Sequence, residues 1–175
     1  TSLKVLGVII TNGLSASDHV RGVITNCAQT LYASRVLRAH GMCYSALQII
    51  FRSVIVAKLL FASSAWWGFT NATDRQRVNA FLRRSIRCGL SPPDLLPFEE
   101  QCQAADEQLC DKILANNSHI LHSLLHPPTV ASQNYNLRPR AHNRQLILHS
   151  GHLTDCNFFN SRALYTQTFT NLLNQ

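Results

Sequence analysis

Arginines on one side of a predicted helix are the residues in this sequence best suited to chemistry. At about 100° per residue, the apolar side chains of a helix over 74–88 fall on one face and the arginines gather on the opposite face. Arginine holds phosphate oxygens with a fork of N–H groups, and such contacts carry no base-sequence information. The pattern therefore predicts sequence-independent binding of a polyanion. The apolar face holds Val78, Phe81, Leu82 and Ile86, and the opposite face holds Arg77, Arg83, Arg84 and Arg87.

Four further arginines are candidates for contacts with nucleic acid. Arg35 and Arg38 belong to a predicted helix that stops at residues 40–41. Arg138 and Arg140 flank a proline that keeps the chain extended, so both side chains are presented on an open segment and not on a helix. This basic and aromatic segment either clamps nucleic acid or is a linker held against the domain surface.

The distribution of charge also points to a nucleic-acid partner. Residues 1–90 carry 11 Lys or Arg against two acids, a balance of +9. Residues 91–126 carry one lysine against six acids (−5), and residues 127–175 carry four arginines against one acid (+3), which together give the net +7. A basic block rich in arginine, here 13 against three lysines, is typical of proteins that bind nucleic acid. A solubilising surface is the alternative interpretation, because charged runs are usually solvated faces.

No residue pattern typical of an enzyme accompanies the arginines. Asp94, Glu99 and Glu100 flank a proline turn and the start of a helix, where the helix dipole favours negative charge. The glycines are scattered singly, so there is no phosphate-binding loop, and Ser63-Ser64 lacks a Gly-x-Ser-x-Gly elbow. We therefore assign no catalytic residue to this chain.

Histidines and tryptophans each leave two interpretations. Histidines spaced i, i+3 and i+7 share a helix face that could hold a metal, but polar-face histidines near a helix end explain the same spacing. These residues are His119, His122 and His126. Trp66-Trp67 either stacks on bases or packs in a core and hinge that follow a buried helix. No metal ligand is assigned.

One short strand and four helices are predicted to position these residues. Lys4–Ile10 is a β-branched run, as expected of a strand covered on both faces. The segment from Tyr44 to about Phe61 is apolar nearly all round, which predicts a central core helix. The fold class is mainly α: an N-terminal strand, a helical bundle and an irregular basic tail. The predicted boundaries are 1–12 for the strand, 13–90 for the basic bundle, 91–128 for a long acidic amphipathic helix and 129–175 for the tail.

Composition excludes several classes of protein. With 46% hydrophobic and 14% charged residues, the sequence forms a core and is not disordered. Six cysteines without C-x-x-C spacing argue against a disulfide scaffold and a zinc ribbon. No apolar run approaches the roughly 20 residues that span a bilayer, and no signal peptide is visible. We expect an intracellular protein, in the nucleus or the cytoplasm and not secreted, that is a fragment beginning inside a domain.

The order and spacing of several motifs carry a resemblance to a known family. Lys4-Val5-Leu6-Gly7-Val8 looks like the strand that closes the palm in reverse transcriptases of non-LTR (LINE-type) retrotransposons. The segment 135–140, followed by His142-Asn143, is similar to the one after the thumb in CR1/jockey-like members. Several segments between these two resemble the thumb of the family. They are Leu31-Tyr32-Ala33, Arg35-Val36-Leu37-Arg38, Lys58–Ser63, Ala65-Trp66, Asp74-Arg75 and Phe81-Leu82-Arg83-Arg84.

The resemblance implies a fragment of an RNA-directed DNA polymerase. In this family the thumb is a helical bundle that holds the backbone of the template–primer duplex, which agrees with the arginine-faced helix. The polymerase chemistry of the family uses two divalent metal ions, such as Mg²⁺, held by palm aspartates in an aromatic-Ala-Asp-Asp motif. This chain contains no Asp-Asp pair, so the resemblance implies no catalytic residue, no cofactor and no polymerase activity in this chain alone.

The resemblance also implies the partners of the chain. They are an RNA or DNA template–primer duplex, bound without sequence preference, and the rest of the polymerase; no membrane is implied. The tail departs from the family pattern, since Leu146-Ile147 stands where many relatives have Leu-Pro and residues 166–175 match no segment of the family. The alternative hypothesis is an inert or protein-binding helical remnant without a ligand.

Overall fold

The computed structural model describes residues 1–125, 156 and 158 of the chain. The fold is mainly α-helical, which confirms the predicted fold class. Two strands, β1 (Ser2–Val5) and β2 (Val8–Thr11), come first. The helices that follow are α1 (Ser17–Ala39), α2 (Tyr44–Ile50), α3 (Ala57–Leu60), α4 (Ser63–Trp66), α5 (Ala72–Arg87) and α6 (Phe98–Ala115). A π-helix, Phe51–Val56, joins α2 to α3, and 3-10 turns cover Trp67–Phe69 and His122–Leu124.

The N-terminal β-structure is a two-stranded hairpin and not the single strand 4–10 that the sequence predicts. Strands β1 and β2 pair antiparallel, with Val5 opposite Val8 at the turn. Leu6 and Gly7 form the turn with φ of 47° and 91°. A two-residue type I′ turn requires positive φ at both positions, and its twist matches that of the flanking strands. The prediction missed this turn because leucine is uncommon at positive φ.

Helices α1 and α5 run parallel and are joined at both ends. At their N-terminal ends, the Ser17 hydroxyl donates a hydrogen bond to Asp74 Oδ2 at 2.6 Å. At their C-terminal ends, Arg38 Nη1 donates to the carbonyl oxygen of Cys88 at 2.7 Å. The end of α5 that carries most of its arginines therefore lies beside the end of α1. The core that packs these elements together contains Val8, Ala16, Val20, Cys27, Leu31, Leu47, Phe51, Ile55, Leu59, Trp66, Val78, Phe81, Leu82, Leu90, Phe98 and Cys102.

The apolar segment 44–61 is buried on one side only, so the prediction of a helix buried all round was wrong. Other apolar side chains of the segment, among them Ile49 and Phe61, are exposed. The π-helix in its middle has more residues per turn than an α-helix, so a four-residue spacing stays on one face. The buried positions recur at that spacing: Leu47, Phe51, Ile55 and Leu59.

The stretch Tyr44–Phe69 is the one helical segment among the described residues whose length and composition match those of a membrane-crossing helix. It has 26 residues, and its most apolar window of 18 residues has a mean hydropathy of 1.7 and is 28% buried. No uninterrupted apolar run approaches roughly 20 residues, as the sequence indicates, but this helical segment as a whole is long and apolar enough for such a helix. Arg52 and Lys58 interrupt the apolar run without ending the helical segment. A core helix of a soluble protein meets the same two criteria, so they assign no location.

Helix α6 is shorter than the sequence predicts. It ends at Ala115 and does not continue to residues 127–128. The Asn116 side-chain oxygen accepts a hydrogen bond from the Ser118 N–H at 2.9 Å, a local turn that competes with continuation of the helix. The chain divides into two compact units, Thr1–Ala105 and Asp106–Gln175, and the helical arginines described below belong to the first.

Candidate nucleic-acid interface

Helix α5 begins at a capping box that also joins it to α1. The Asn71 side-chain oxygen accepts from the Asp74 N–H at 2.8 Å, and Asp74 Oδ2 accepts from the Asn71 N–H at 3.5 Å. The Ser17 hydroxyl donates to the same carboxylate oxygen. Asp74 is buried, and these hydrogen bonds offset the cost of removing its carboxylate from water. This joint fixes the start of α5 and therefore the direction in which its arginines point.

Helix α5 has the predicted apolar face and the predicted arginine face, and one residue differs from the prediction. Val78, Phe81 and Leu82 are buried, as predicted. Ser85 completes the buried face, whereas Ile86, which the sequence pattern places there, is 46% exposed. The Ser85 hydroxyl donates to the Phe81 carbonyl at 3.0 Å, so its burial leaves no unsatisfied polar group.

Arg83, Arg84 and Arg87 form the outer side of α5. All three residues are exposed, and none of them makes an ion pair or a side-chain hydrogen bond within the part of the chain that the structure describes. Positions 83 and 87 lie one turn apart on the helix, as do positions 84 and 87. Each guanidinium group keeps its five N–H donors for a ligand.

Arg77 differs from these three because it has a partner. Its Nη1 lies 3.4 Å from Asp74 Oδ1, and its side chain is half exposed. The carboxylate offsets part of the positive charge at this position, although an ion pair at this exposure is weak. We expect Arg77 to contribute less to anion binding than the arginines further along α5.

Arg35 and Arg38 of α1 reach the C-terminal end of α5. Arg38 Nη1 donates to the Cys88 carbonyl at 2.7 Å, and Arg35 Nη2 donates to Cys88 Sγ at 2.6 Å. The last carbonyl groups of a helix carry partial negative charge, which stabilises cations there. Both arginines remain exposed and keep further N–H donors. The two predicted groups of helical arginines therefore meet in one region, here named the arginine surface: Arg35, Arg38, Arg83, Arg84 and Arg87.

Four acids of the first unit form described ion pairs, and all four pair with arginines outside the arginine surface. The pairs are Arg21–Asp18 at 2.8 Å, Arg52–Asp94 at 2.7 Å and Arg75–Glu99 at 2.9 Å, in addition to Arg77–Asp74. The hydrogen bond from Arg52 lowers the pKa of the Asp94 carboxyl below its usual value. These carboxylates leave the positive charge of the arginine surface without a described counterion.

Trp66 and Trp67 are part of the packing around α6 and do not form an open stacking face. Trp66 is buried, and its Nε1 donates to the Phe61 carbonyl at 3.0 Å. The Trp67 ring meets Phe98 edge-on at 5.0 Å, and the Arg75 guanidinium lies 5.0 Å from the centre of the Trp67 ring. Packing of both rings against the core is therefore confirmed, and burial excludes Trp66 as a base-stacking residue.

Two buried titratable groups were not singled out by the sequence. The His19 ring packs edge-on against Trp66 with ring centres 5.1 Å apart, and burial lowers the pKa of this histidine. Burial also raises the pKa of the Cys27 thiol to about 11, with Lys58 acting in the opposite direction. Burial therefore favours the uncharged form of both groups, and both side chains pack within the core.

Several residues predicted for a site fall elsewhere. His119 and His122 lie beyond the end of α6, so the helix face proposed for the histidines does not form there, and His126 lies outside the described residues. Among the residues with described positions, no three His, Cys, Asp or Glu side chains come together to hold a metal ion. Arg138 and Arg140 also lie outside the described residues.

The described chain therefore presents one cationic region, built from two parallel helices, as its candidate interface. Its five guanidinium groups are exposed, and their described contacts include no carboxylate. Such a region can bind phosphate groups, and it holds no reactive side chain beyond the Cys88 thiol. Compared with known proteins, the chain matches no protein-family model, no curated protein and no solved structure.

Proposed function

We propose that this chain is part of the reverse transcriptase of a non-LTR retrotransposon and binds template–primer nucleic acid without sequence preference. The observation that carries the proposal is the arginine surface, where Arg83, Arg84 and Arg87 are exposed and have no partner among the described residues. The motif resemblance supports the choice of family. The absence of an Asp-Asp pair from the sequence supports a binding role without polymerisation.

Binding of this kind depends steeply on salt. Each arginine that neutralises a phosphate releases condensed counterions from the nucleic acid. If four arginines each meet one phosphate, the logarithm of the binding constant falls with the logarithm of salt concentration with a slope of about −3 to −4. The affinity should be similar for unrelated sequences, because the contacts are made to the backbone.

The test compares two double variants with the same change in net charge. Arg83→Gln with Arg84→Gln removes two members of the arginine surface. Arg21→Gln with Arg52→Gln removes two exposed arginines that are paired with acids, and it serves as the control. Fluorescence anisotropy with labelled duplex should show weaker binding and a salt slope less steep by about 2 for the first variant, and nearly unchanged values for the control.

Two results would contradict the proposal. Duplex binding by the unmodified chain that is equally tight at low and high salt would show that phosphate contacts do not drive it. Equal losses in the two double variants would show that only net charge matters and that the arginine surface has no special role.

A second candidate function is that of an inert or protein-binding helical remnant without a ligand. Exposed apolar side chains favour it: Leu6 is 90% exposed in the hairpin turn, and Ile49 and Phe61 lie on the uncovered side of the apolar segment. Exposed apolar surface of this kind promotes association. Analytical ultracentrifugation that shows association, together with no measurable nucleic-acid binding at low salt, would favour this candidate over the first.

A further inference from the structure

Two exposed tyrosines stand beside the arginine surface. Tyr32 is 69% exposed and precedes Arg35 by three residues on α1, so the two side chains are neighbours on the helix. Tyr44 is 50% exposed and lies at the end of α5, because a Cβ atom at Gly89 would be only 2.7 Å from the Tyr44 hydroxyl oxygen. Gly89 follows Cys88, the residue that accepts hydrogen bonds from Arg35 and Arg38. Tyr32 therefore shares a helix face with Arg35, and the Tyr44 hydroxyl lies next to the residue that follows the acceptor of both guanidinium groups.

The surroundings of these rings distinguish them from ordinary exposed side chains. An isolated exposed aromatic residue needs no explanation. Here two aromatic rings lie within a region that carries several positive charges and no described carboxylate contact. Positive charge that follows a phosphate backbone, interleaved with aromatic rings on which bases stack, is the combination used to bind single-stranded nucleic acid.

We propose that the arginine surface binds the unpaired strand of a template–primer more tightly than the duplex part, with bases stacked on Tyr32 and Tyr44. This inference rests on the proposed function and specifies the form of nucleic acid that it involves. In a duplex, the neighbouring base pairs already cover each base face, so a tyrosine ring gains little there. The guanidinium groups contact phosphates in either form. The tyrosines therefore give the surface a higher affinity for single strand than for duplex, whereas the arginines contribute to both affinities alike.

The experiment measures the affinity of the full chain for an oligothymidine and for a blunt duplex of equal length, by fluorescence anisotropy at low salt. The variant combines Tyr32→Leu with Tyr44→Leu, which keeps apolar bulk and removes both planar rings. We expect single-strand affinity to fall on the order of fivefold or more per tyrosine, with duplex affinity changed less than about twofold. Phe61→Leu is the control, because Phe61 is an exposed aromatic residue that adjoins the hairpin turn at Gly7. It should change neither affinity.

A second measurement uses the unmodified chain, because the Tyr44 substitution also alters the contact with Gly89. An abasic strand of the same length keeps the phosphates and lacks the bases. It should bind more weakly than oligothymidine, by a factor similar to the loss caused by the tyrosine variant. Equal binding of the abasic strand and oligothymidine would overturn the stacking inference, whatever the variant does.

The outcomes separate this inference from the proposed function. The stacking inference is overturned if the tyrosine variant binds oligothymidine and duplex more weakly by the same factor. It is also overturned if the variant binds both as tightly as the unmodified chain does. In either case the proposed function stands as long as the variant with Arg83→Gln and Arg84→Gln still binds more weakly. If the unmodified chain binds neither form at low salt, the proposed function itself is wrong.

Discussion

At the residue scale, one buried carboxylate determines how the arginine-bearing helix is held. Asp74 takes part in the capping box with Asn71, accepts the hydrogen bond from Ser17 and lies near Arg77. The capping motif begins at Asn71, a residue type that is common at helix starts. The contact with Ser17 joins residues 57 positions apart in the chain, and no local pattern indicates it.

Replacement of Asp74 by alanine should lower the free energy of unfolding by about 1–4 kcal/mol. The first turn of α5 loses a negative charge that the helix dipole favours, which is worth about 0.3–1 kcal/mol, and the Ser17 hydroxyl and the Asn71 N–H lose their acceptor, which costs about 1–3 kcal/mol more. Urea denaturation followed by circular dichroism gives the value. Asp18→Ala is the matched control, because Asp18 is an exposed first-turn acid of α1 whose contact with Arg21 is worth less than about 1 kcal/mol. Equal small losses in both variants would contradict the anchoring role of Asp74.

The residues of the candidate site were predicted only in part by sequence periodicity. Helical spacing correctly separates the exposed Arg83 and Arg87 from the buried Phe81 and Leu82, because side-chain direction on a helix follows from residue number. It does not reveal that Arg35 and Arg38 meet Cys88, because that contact depends on how α1 packs against α5. Long-range contacts of this kind leave no periodic signal in a single sequence.

At the element scale, helices with capping residues and a clear apolar stripe were predicted well, and irregular elements were not. Helix α1 stops at Ala39 and α5 runs from Ala72 to Arg87, both within a few residues of the predicted ends. The hairpin was missed because its turn is formed by Leu6-Gly7 and lacks the usual Asn-Gly signal. The π-helix was missed because a segment that is apolar nearly all round fits several helical periods equally well.

The glycine that ends α5 offers a test of how closely α2 and α5 are packed. Gly89 and Gly41 both adopt positive φ, of 69° and 88°. A Cβ atom at Gly41 meets nothing within 4 Å, whereas one at Gly89 lies 2.7 Å from the Tyr44 hydroxyl oxygen. Gly41→Ala should therefore lower the free energy of unfolding by about 1–2 kcal/mol through backbone strain alone, and Gly89→Ala should lower it by more.

A double-mutant cycle isolates the side-chain contact at Gly89. In a Tyr44→Phe background the hydroxyl is absent, so Gly89→Ala should then cost about as much as Gly41→Ala. Thermal or urea unfolding of the four proteins measures the difference. If Gly89→Ala and Gly41→Ala are equally destabilising in the unmodified background, Tyr44 does not lie against the end of α5, and its place beside the arginine surface is wrong.

At the scale of the whole molecule, charge is separated along the chain in a way that suits a polyanionic partner. Residues 1–90 carry a balance of +9, and the six acids of residues 91–126 follow them. A field of one sign attracts phosphate backbones from a distance and weakens as salt increases. The sequence was sufficient to predict this asymmetry, because net charge is a sum over residues. It was not sufficient to predict which arginines stay unpaired, because pairing depends on where the acids lie in the fold.

Mg²⁺ distinguishes binding by charge alone from binding that also requires a metal. If the chain binds nucleic acid only through its cations, millimolar Mg²⁺ at constant ionic strength should weaken binding, because the metal competes for the same phosphates. This expectation rests on the proposed function, in which the guanidinium groups of the arginine surface hold the phosphates. Anisotropy titrations with Mg²⁺, and again after chelation with EDTA, measure the effect, and a primer-extension assay with all four nucleotides should give no product. Tighter binding in Mg²⁺, an increase in melting temperature that EDTA reverses, or any extended primer would show that the chain holds a functional metal site.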